Sequence, residues 1–260
     1  MDKMKWVEQW LDEEKAAHIK GWDFTHIQDR FAAEIDLPWD YQTLVYRYLK
    51  PEQYILDIDT GGGEFLLSLQ HPYDKTSATE AFPPNVRLCK DVLLPLGVDF
   101  RETNGNGQYP FEDEQFDLVI NRHGAYNPTE IARVLKSDGI FITEQVGAEN
   151  DRDLAALLLP TLPAPPFPEQ YLDIAAGKFK ENGFSIVDGQ EAFRPIRFWD
   201  VGALVWFAHV IEWEFPNFTV KSCLPNLFKA QKILREKGVI EGRTHRFLLI
   251  AKKDGLVQRR

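Results

Sequence analysis

The stretch YILDIDTGGGEF (Tyr54–Phe65) decides the expected fold. Its first five residues form a short apolar run, which favours a buried strand, and three successive glycines follow at Gly61–Gly63. EFLLSL, which comes next, favours the start of a helix. Glycines in such a turn let a ligand approach the backbone closely, and turns of this kind bind ligands at the edge of a parallel sheet. The turn therefore predicts a ligand site, although it is not the G-x-G-x-x-G pattern of dinucleotide-binding proteins.

Short apolar runs alternate with helical patterns from this turn onward. Six more strands are predicted, at Thr76–Glu80, Val98–Glu102, Phe116–Asn121, Ile140–Val146, Phe184–Gln190 and His245–Lys253. Strands that alternate with helices over short connections are typical of a mostly parallel sheet covered on both faces. The sequence therefore predicts an α/β fold with a doubly wound, seven-stranded, mostly parallel sheet.

Two aromatic-rich segments lie outside this alternating pattern. The first fifty residues are helical in pattern, and FWDVGALVWFAHVIEWEF (Phe198–Phe215) is apolar around most of a helix. A helix of that kind is buried or covers a pocket. We therefore expect N-terminal helices and an inserted helical lid on the sheet. The expected parts are an N-terminal helical cap (1–50), a core (51–192 and 243–260) and an inserted aromatic-rich lid (193–242).

Composition and charge limit the possible functions. Lys and Arg number 30 against 40 Asp and Glu, a net charge of −10, and 44% of residues are hydrophobic. These values exclude collagen-like and low-complexity chains and disfavour a broad phosphate-binding surface. Cys89 and Cys223 lack metal-ligand spacing, so free thiols, a cytoplasmic location and no metal site are expected. No apolar run reaches the ~18–20 residues that cross a bilayer, so no membrane association is expected.

Further motifs accompany the glycine turn. Glu80 ends the second strand about twenty residues later, where an acid can accept hydrogen bonds from both hydroxyls of a ribose. YPFEDEQFDLVI (Tyr109–Ile120) and EIARVLKSDGIFITEQVG (Glu130–Gly147) follow. Together these motifs resemble those of the class I S-adenosylmethionine-dependent methyltransferases. The resemblance implies a Rossmann-like methyltransferase fold and S-adenosylmethionine as the cofactor.

The resemblance also implies which residues hold the cofactor. Asp57 matches the family's acid at the end of the first strand, and Gly61 and Gly63 match its second and third glycines. Asp59 stands where the family has its first glycine, so its side chain could pair with the cofactor's amino group or block it. Asn104 or Asn106 lies near the position that reads the adenine amine. The expected cofactor-binding residues are Asp57, Asp59, Gly61, Gly63, Glu80, Asn104 and Asn121, of which Asn121 could instead cap the next turn.

Candidates for contact with the acceptor follow the fourth and fifth strands. His123 could act as a base and Arg122 could hold an anionic acceptor, or both could belong to an ordinary surface loop. One of Glu144 and Gln145 is expected to face the cleft, because side chains alternate along a strand. Gln145 is the preferred candidate, so the expected catalytic residues are His123, Arg122 and Gln145.

The expected function is methyl transfer from S-adenosylmethionine to a small-molecule acceptor held under the lid of a monomer or homodimer. The lid and HRFLLIA (His245–Ala251) also resemble ribosomal RNA guanine methyltransferases, which carry a Cys-rich zinc module that this sequence lacks. A ribosomal RNA base methyltransferase is therefore the first alternative, with RNA the less favoured substrate. The second alternative is a non-catalytic methyltransferase-like binding protein, for which Asp59 is the main support.

Overall fold

The computed structural model describes residues 3–18, 23–33 and 36–255, so parts of the predicted cap (1–2, 19–22 and 34–35) lie outside the described residues. Within the described residues, eight strands form one sheet in the order β1-β7-β8-β6-β5-β2-β3-β4. They are β1 (Phe31–Ala33), β2 (Ile55–Ile58), β3 (Thr76–Glu80), β4 (Asp99–Glu102), β5 (Phe116–Arg122), β6 (Leu135–Val146), β7 (Phe184–Phe198) and β8 (Ile240–Lys253).

The sheet is mostly parallel, as predicted. Strands β4, β3, β2, β5 and β6 are parallel to their neighbours, whereas β8 runs antiparallel to β6 and β1 antiparallel to β7. The strand order reverses at β2, because the chain moves outward through β3 and β4 and then returns to β5 on the other side of β2. The turns after β2 and β5 therefore flank a topological switch point, where ligands bind in open α/β sheets.

The helices begin at recognisable sequence signals. The Asp40 carboxylate accepts a hydrogen bond from the backbone N–H of Thr43 (2.7 Å) at one helix start, and Thr219 and Ser222 form a capping box at another. Among the described residues the helices are α1 (Lys3–Ala16), α2 (Tyr41–Tyr48), α3 (Glu64–Ser68), α4 (Pro83–Val92), α5 (Pro128–Val134), α6 (Arg152–Leu158), α7 (Leu172–Glu181), α8 (Val201–Val210) and α9 (Val220–Lys237).

The predicted strand number was wrong, because the described residues form eight strands and not seven. The additional strand is β1, whose three residues pair with the far end of β7, Phe31 opposite Phe198. β7 also continues past the predicted end at Gln190, and β8 starts at Ile240, before the predicted His245. The pairing with β1 gives the added residues of β7 ladder partners. Between β7 and β8 lie α8 and α9, for which a lid role stays a prediction.

The chain divides into two compact units, and the first is built around α8. It comprises the described residues of Met1–Leu37, Gly147–Pro168 and Ala192–His245. Nine of the ten residues of α8 are buried, and the side chain of Trp206 on this helix is 1% exposed. Burial on nearly every face accounts for the almost wholly apolar sequence of this helix.

The second unit carries the parallel strands and every predicted site residue. It comprises Pro38–Val146, Glu169–Glu191 and the described residues of Arg246–Arg260. Its core includes Phe141 and Phe179, whose rings stack with centroids 4.8 Å apart. No helix in the described ranges combines the length and apolar character needed to cross a membrane. Cys89 and Cys223 are both buried free thiols.

Candidate functional site

The turn after β2 and the end of β3 form one hydrogen-bonded structure centred on the Glu80 carboxylate. The backbone N–H of Gly61 donates to Glu80 Oε2 (2.9 Å), as does Asn85 Nδ2 (3.2 Å). The other oxygen, Oε1, accepts from the backbone N–H groups of Ala81 (2.8 Å) and Phe82 (2.9 Å). An ionised carboxylate has about four acceptor sites, so all of them are used. The structure therefore brings two predicted residues, Gly61 and Glu80, into direct contact.

Two glycines of the turn face different surroundings. Gly61 and Gly63 both have left-handed backbones, with φ of +66° and +85°. A Cβ atom at Gly61 would meet no other atom within 4 Å, whereas one at Gly63 would lie 2.8 Å from the Leu93 side chain. The turn thus opens onto free space at Gly61 and packs against the protein at Gly63.

Two aspartates, Asp57 and Asp59, precede the glycine turn. Burial raises the pKa of Asp57 to about 7, although a hydrogen bond from the Thr60 hydroxyl (2.6 Å) opposes the rise. Burial, followed by the charge of Glu80, raises the pKa of Asp59 to about 6. Asp59 has a left-handed backbone (φ 54°), and its carboxylate accepts a hydrogen bond from the backbone N–H of Ala125. Asp59 is therefore tied to the loop after β5, and none of its atoms lies within 4 Å of the position of a Cβ at Gly61.

Asn121 and Gln145 belong to a buried amide network. Asn121 is fully buried, and its Nδ2 donates to the carbonyl of Ile58 at the end of β2 (2.9 Å). The Gln145 amide, 3% exposed, donates from Nε2 to Asn121 Oδ1 (2.6 Å) and to the carbonyl of Gly124 (3.2 Å). These bonds tie the ends of β2, β5 and β6 together. Both predicted residues thus lie in the strand-end network under the switch point.

His123 and Glu144 form a pair at the ends of β5 and β6. His123 Nε2 lies 3.3 Å from Glu144 Oε1, and the backbone N–H of His123 donates to the Glu144 carbonyl (2.9 Å). The indole N–H of Trp39 donates to the second carboxylate oxygen, Glu144 Oε2 (2.6 Å). Burial alone would raise the pKa of Glu144, but the hydrogen bonds from His123 and Trp39 outweigh it and lower that pKa. Glu144 is thus a buried, ionised group beside a histidine that is 39% exposed.

Arg122 lies beside this pair on the exposed side of the sheet end. Its guanidinium carbon lies 5.1 Å from the centre of the Phe65 ring, a cation–π distance. The Phe65 ring is in turn 5.3 Å from the ring of Tyr41, whose hydroxyl reaches the carbonyl of Asn121 (3.0 Å). The rings of Phe65 and Tyr41 therefore support the Arg122 guanidinium close to the turn after β2.

A groove of about 630 Å³ follows the end of β4. Asn104, Asn106 and Tyr109 line it, and the Asn104 side chain accepts a hydrogen bond from the backbone N–H of Asn106 (3.1 Å). Arg133 closes one side by donating to the carbonyls of Tyr109 (2.8 Å) and Phe111 (2.7 Å). The loop starts next to Glu80, since the backbone N–H of Thr103 donates to the Glu80 carbonyl (2.9 Å). Asn104 thus lies in a groove whose loop is joined at its start to the end of β3.

Sequence reasoning preferred Gln145 to Glu144 and did not single out Trp39. The one available signal was the alternation of β6, which puts either Glu144 or Gln145 on the cleft side. Trp39 precedes Glu144 by 105 residues, so no local pattern joins them. In the described part of the chain, no cluster of three or more His, Cys, Asp or Glu side chains is arranged to hold a metal ion.

The comparisons with known proteins agree with this fold. Residues 56–143 match the family model of the methyltransferase domain, which confirms the resemblance seen in the sequence. A candidate methyltransferase of Bacillus halodurans C-125 is 18% identical, with a TM-score of 0.57 and coverage of 83% of this chain and 99% of that one. The YcgJ protein of Bacillus subtilis is 20% identical, with a TM-score of 0.54 and coverage of 82% and 97%.

A third solved structure has the same fold and a different described activity. The [4+2]-cyclase SpnF is 17% identical, with a TM-score of 0.50 and coverage of 82% of this chain and 80% of that one. A search of curated proteins gave no match. At these identities the likeness to solved structures shows the fold alone, because one fold supports many different reactions.

Proposed function

From the methyltransferase domain at residues 56–143 and the Rossmann-like methyltransferase fold, we propose that this chain is an S-adenosylmethionine-dependent methyltransferase that acts on a small-molecule acceptor. The observation that carries the proposal is the bond of 2.9 Å between Gly61 N–H and Glu80, next to the free space at Gly61. A glycine turn joined to an acid at the end of the neighbouring strand suits a nucleoside with a charged tail.

The described residues fit that cofactor in shape and charge. The free space at Gly61 lets a ligand reach the backbone, and Glu80 would hold the turn in place and add a negative charge beside the ribose. Asp57 and Asp59 add two more acids, which suits a ligand that carries positive charge on its sulfonium and amino groups. Asn104 in the groove beyond β4 would contact the adenine. Gly63, Asn121 and Gln145 would keep the turn and the strand ends in place.

When bound, S-adenosylmethionine supplies a methyl group on a positively charged sulfur. The chain then has to orient the acceptor atom and exclude water, because methyl transfer is a displacement that depends on alignment. Arg122 would hold an anionic part of the acceptor, and His123 would take up a proton. The proposed parts of the chain are an N-terminal helical cap (1–50), a core (51–192 and 243–260) and an inserted lid (193–242). A net charge of −10 supports a small molecule over RNA.

Calorimetric titration with S-adenosylmethionine and S-adenosylhomocysteine tests the proposal. We expect micromolar binding by the native chain and at least a tenfold loss in Glu80→Gln, since the neutral amide replaces one acceptor oxygen with a donor. Asp99→Asn is the matched control, because Asp99 is an exposed acid at the start of β4. A radiolabelled methyl donor and a panel of acceptors then test transfer.

The outcomes separate the proposal from its alternatives. Transfer of the label to a small acceptor supports it. Binding without transfer to any acceptor would favour a non-catalytic binding protein, and salt-sensitive methylation of structured RNA would favour the RNA enzyme. Absence of cofactor binding by the native chain would refute the proposal.

A further inference from the structure

The carboxylate of Glu144 is fixed from two sides. Trp39 donates to Oε2 at 2.6 Å, and His123 contacts Oε1 at 3.3 Å. A buried carboxylate has a strong requirement for hydrogen-bond partners, so both contacts hold it in one orientation. Glu144 is 8% exposed, so its carboxylate is largely shielded from solvent.

His123 is held in an unusual backbone conformation. Its φ is +59°, in the left-handed region that residues other than glycine rarely adopt. The ladder bond from its N–H to the Glu144 carbonyl (2.9 Å) keeps it there. Strain of this kind costs about 1–3 kcal/mol and is concentrated at functional sites. Backbone and side chain of His123 are thus both fixed by the same neighbour, Glu144.

This pair borders the proposed cofactor turn. β5 pairs with β2, and Asn121, two residues before His123, lies opposite Ile58. Gly124, the residue after His123, packs so closely on Asp59 that a Cβ atom there would lie 2.6 Å from Asp59 Cβ. His123 therefore follows the strand next to the glycine turn, in the loop that contacts it.

The geometry assigns to Glu144 the role of a positioning residue for His123, and we infer that His123 removes the proton of a hydroxyl acceptor. The inference rests on the proposed function. With Nε2 directed at Glu144, the second ring nitrogen, Nδ1, has no partner among the described residues and is the site for the proton. A hydroxyl needs such a base, because its pKa is far above neutral, whereas a carboxylate acceptor is already ionised and needs none.

Transfer to a hydroxyl acceptor forms two bonds and breaks two. The acceptor oxygen bonds to the methyl carbon, the carbon–sulfur bond breaks with its electron pair on sulfur, and the hydroxyl proton passes to His123 Nδ1. The resulting imidazolium donates from Nε2 to Glu144, whose negative charge stabilises it. His123 then releases the proton to water. Trp39 keeps the carboxylate in place throughout.

The first test compares acceptors of different chemistry. Catechol and benzyl alcohol are the hydroxyl probes, and benzoate, benzylamine and benzyl mercaptan are the comparison probes, each with a radiolabelled methyl donor. We expect label on a hydroxyl probe. Transfer only to the carboxylate, amine or thiol, or to none of the hydroxyl probes, would overturn the inference. Absence of cofactor binding in the calorimeter would instead remove the proposed function, and the inference with it.

The second test uses variants of the pair. His123→Asn is expected to lower kcat on the hydroxyl probe by about 10²–10⁴-fold. Glu144→Gln should lower kcat less than this, but by at least about tenfold. Affinity for S-adenosylmethionine should stay within about twofold of native in both variants. His26→Asn and Glu13→Gln are matched controls, because His26 Nε2 and Glu13 Oε2 form a similar pair (2.7 Å) in the first unit.

A third readout does not depend on turnover. The Glu144 carboxyl carbon can be followed by ¹³C NMR across pH in the cofactor-free chain. Since the hydrogen bond from His123 helps to lower the pKa of Glu144, His123→Asn should raise it, and His26→Asn should not. An unchanged Glu144 titration in His123→Asn, or native kcat in Glu144→Gln, would show that the pair has no positioning role.

Discussion

Alanine at Gly63 and at Gly61 should separate stability from ligand binding within one turn. Gly63 has φ +85°, and its Cβ would lie 2.8 Å from one Leu93 methyl carbon and 3.1 Å from the other. The left-handed backbone costs an alanine about 1–2 kcal/mol. Overpacking against Leu93 adds roughly 1–3 kcal/mol, because the clash is with the side chain of a fully buried leucine. We expect Gly63→Ala to lower the free energy of unfolding by about 2–5 kcal/mol.

Gly61→Ala is the matched comparison, with a similar backbone and no steric clash. Its φ is +66°, and no other atom lies within 4 Å of the added Cβ. Only the backbone cost remains, about 1–2 kcal/mol. The added methyl projects into the space proposed for the cofactor, so the main effect of the substitution should be weaker cofactor binding. We expect affinity for S-adenosylmethionine to fall at least tenfold.

Urea unfolding followed by circular dichroism measures the stability of both variants, and calorimetry measures their binding. The unfolding midpoint should fall further for Gly63→Ala than for Gly61→Ala. Affinity should fall further for Gly61→Ala, once Gly63→Ala is shown to be folded at the temperature used. Equal losses of stability would refute the packing argument. Native affinity in Gly61→Ala would refute the assignment of the free space.

Three further predictions concern charge and hydrogen bonding in the second unit. Burial raises the pKa of Asp57 to about 7, so the native fold loses stability as pH rises from about 4 to 7; Asp57→Asn should remove that dependence in urea unfolding across this range. Trp39→Phe leaves one buried oxygen of Glu144 without its donor, so the free energy of unfolding measured in urea at pH 7 should fall by about 1–3 kcal/mol. The pKa of Glu144 measured by NMR should rise. In Arg133→Lys the lysine cannot reproduce the two forked hydrogen bonds to the loop after β4, so the free energy of unfolding should fall by roughly 1 kcal/mol. Backbone amide hydrogens of residues 109–113 should exchange faster with solvent.

The sequence predicted the parallel part of the sheet because short strand-like segments alternate there with helical patterns over short connections. It missed β1 because three residues, FAA, carry no periodicity, and their partner is the far end of β7. The end of β7 was placed too early for a related reason. Its residues beyond Gln190 alternate weakly, and their strand conformation depends on a pairing remote in sequence.

The candidate site was predicted in part for similar reasons. Gly61 and Glu80 were found together because each belongs to a motif with fixed spacing along the chain. The choice of Gln145 over Glu144 rested on a strand whose two faces are both covered, so no polar face stands out. Glu144 and Gln145 are both nearly buried, and only the contacts of Glu144 with Trp39 and His123 distinguish it.

The four hydrogen bonds on the Glu80 carboxylate have a consequence for how its sequence position evolves. Because Glu80 holds Gly61, Ala81, Phe82 and Asn85 with no ligand involved, selection for a well-formed turn is enough to retain it. A descendant that had lost methyl transfer would keep the same acid for folding alone. Shortening the side chain by one carbon, in Glu80→Asp, would break its hydrogen bonds to the backbone of the turn even when no ligand is bound. Glu80 thus has a structural role in the turn that is separate from any role in catalysis.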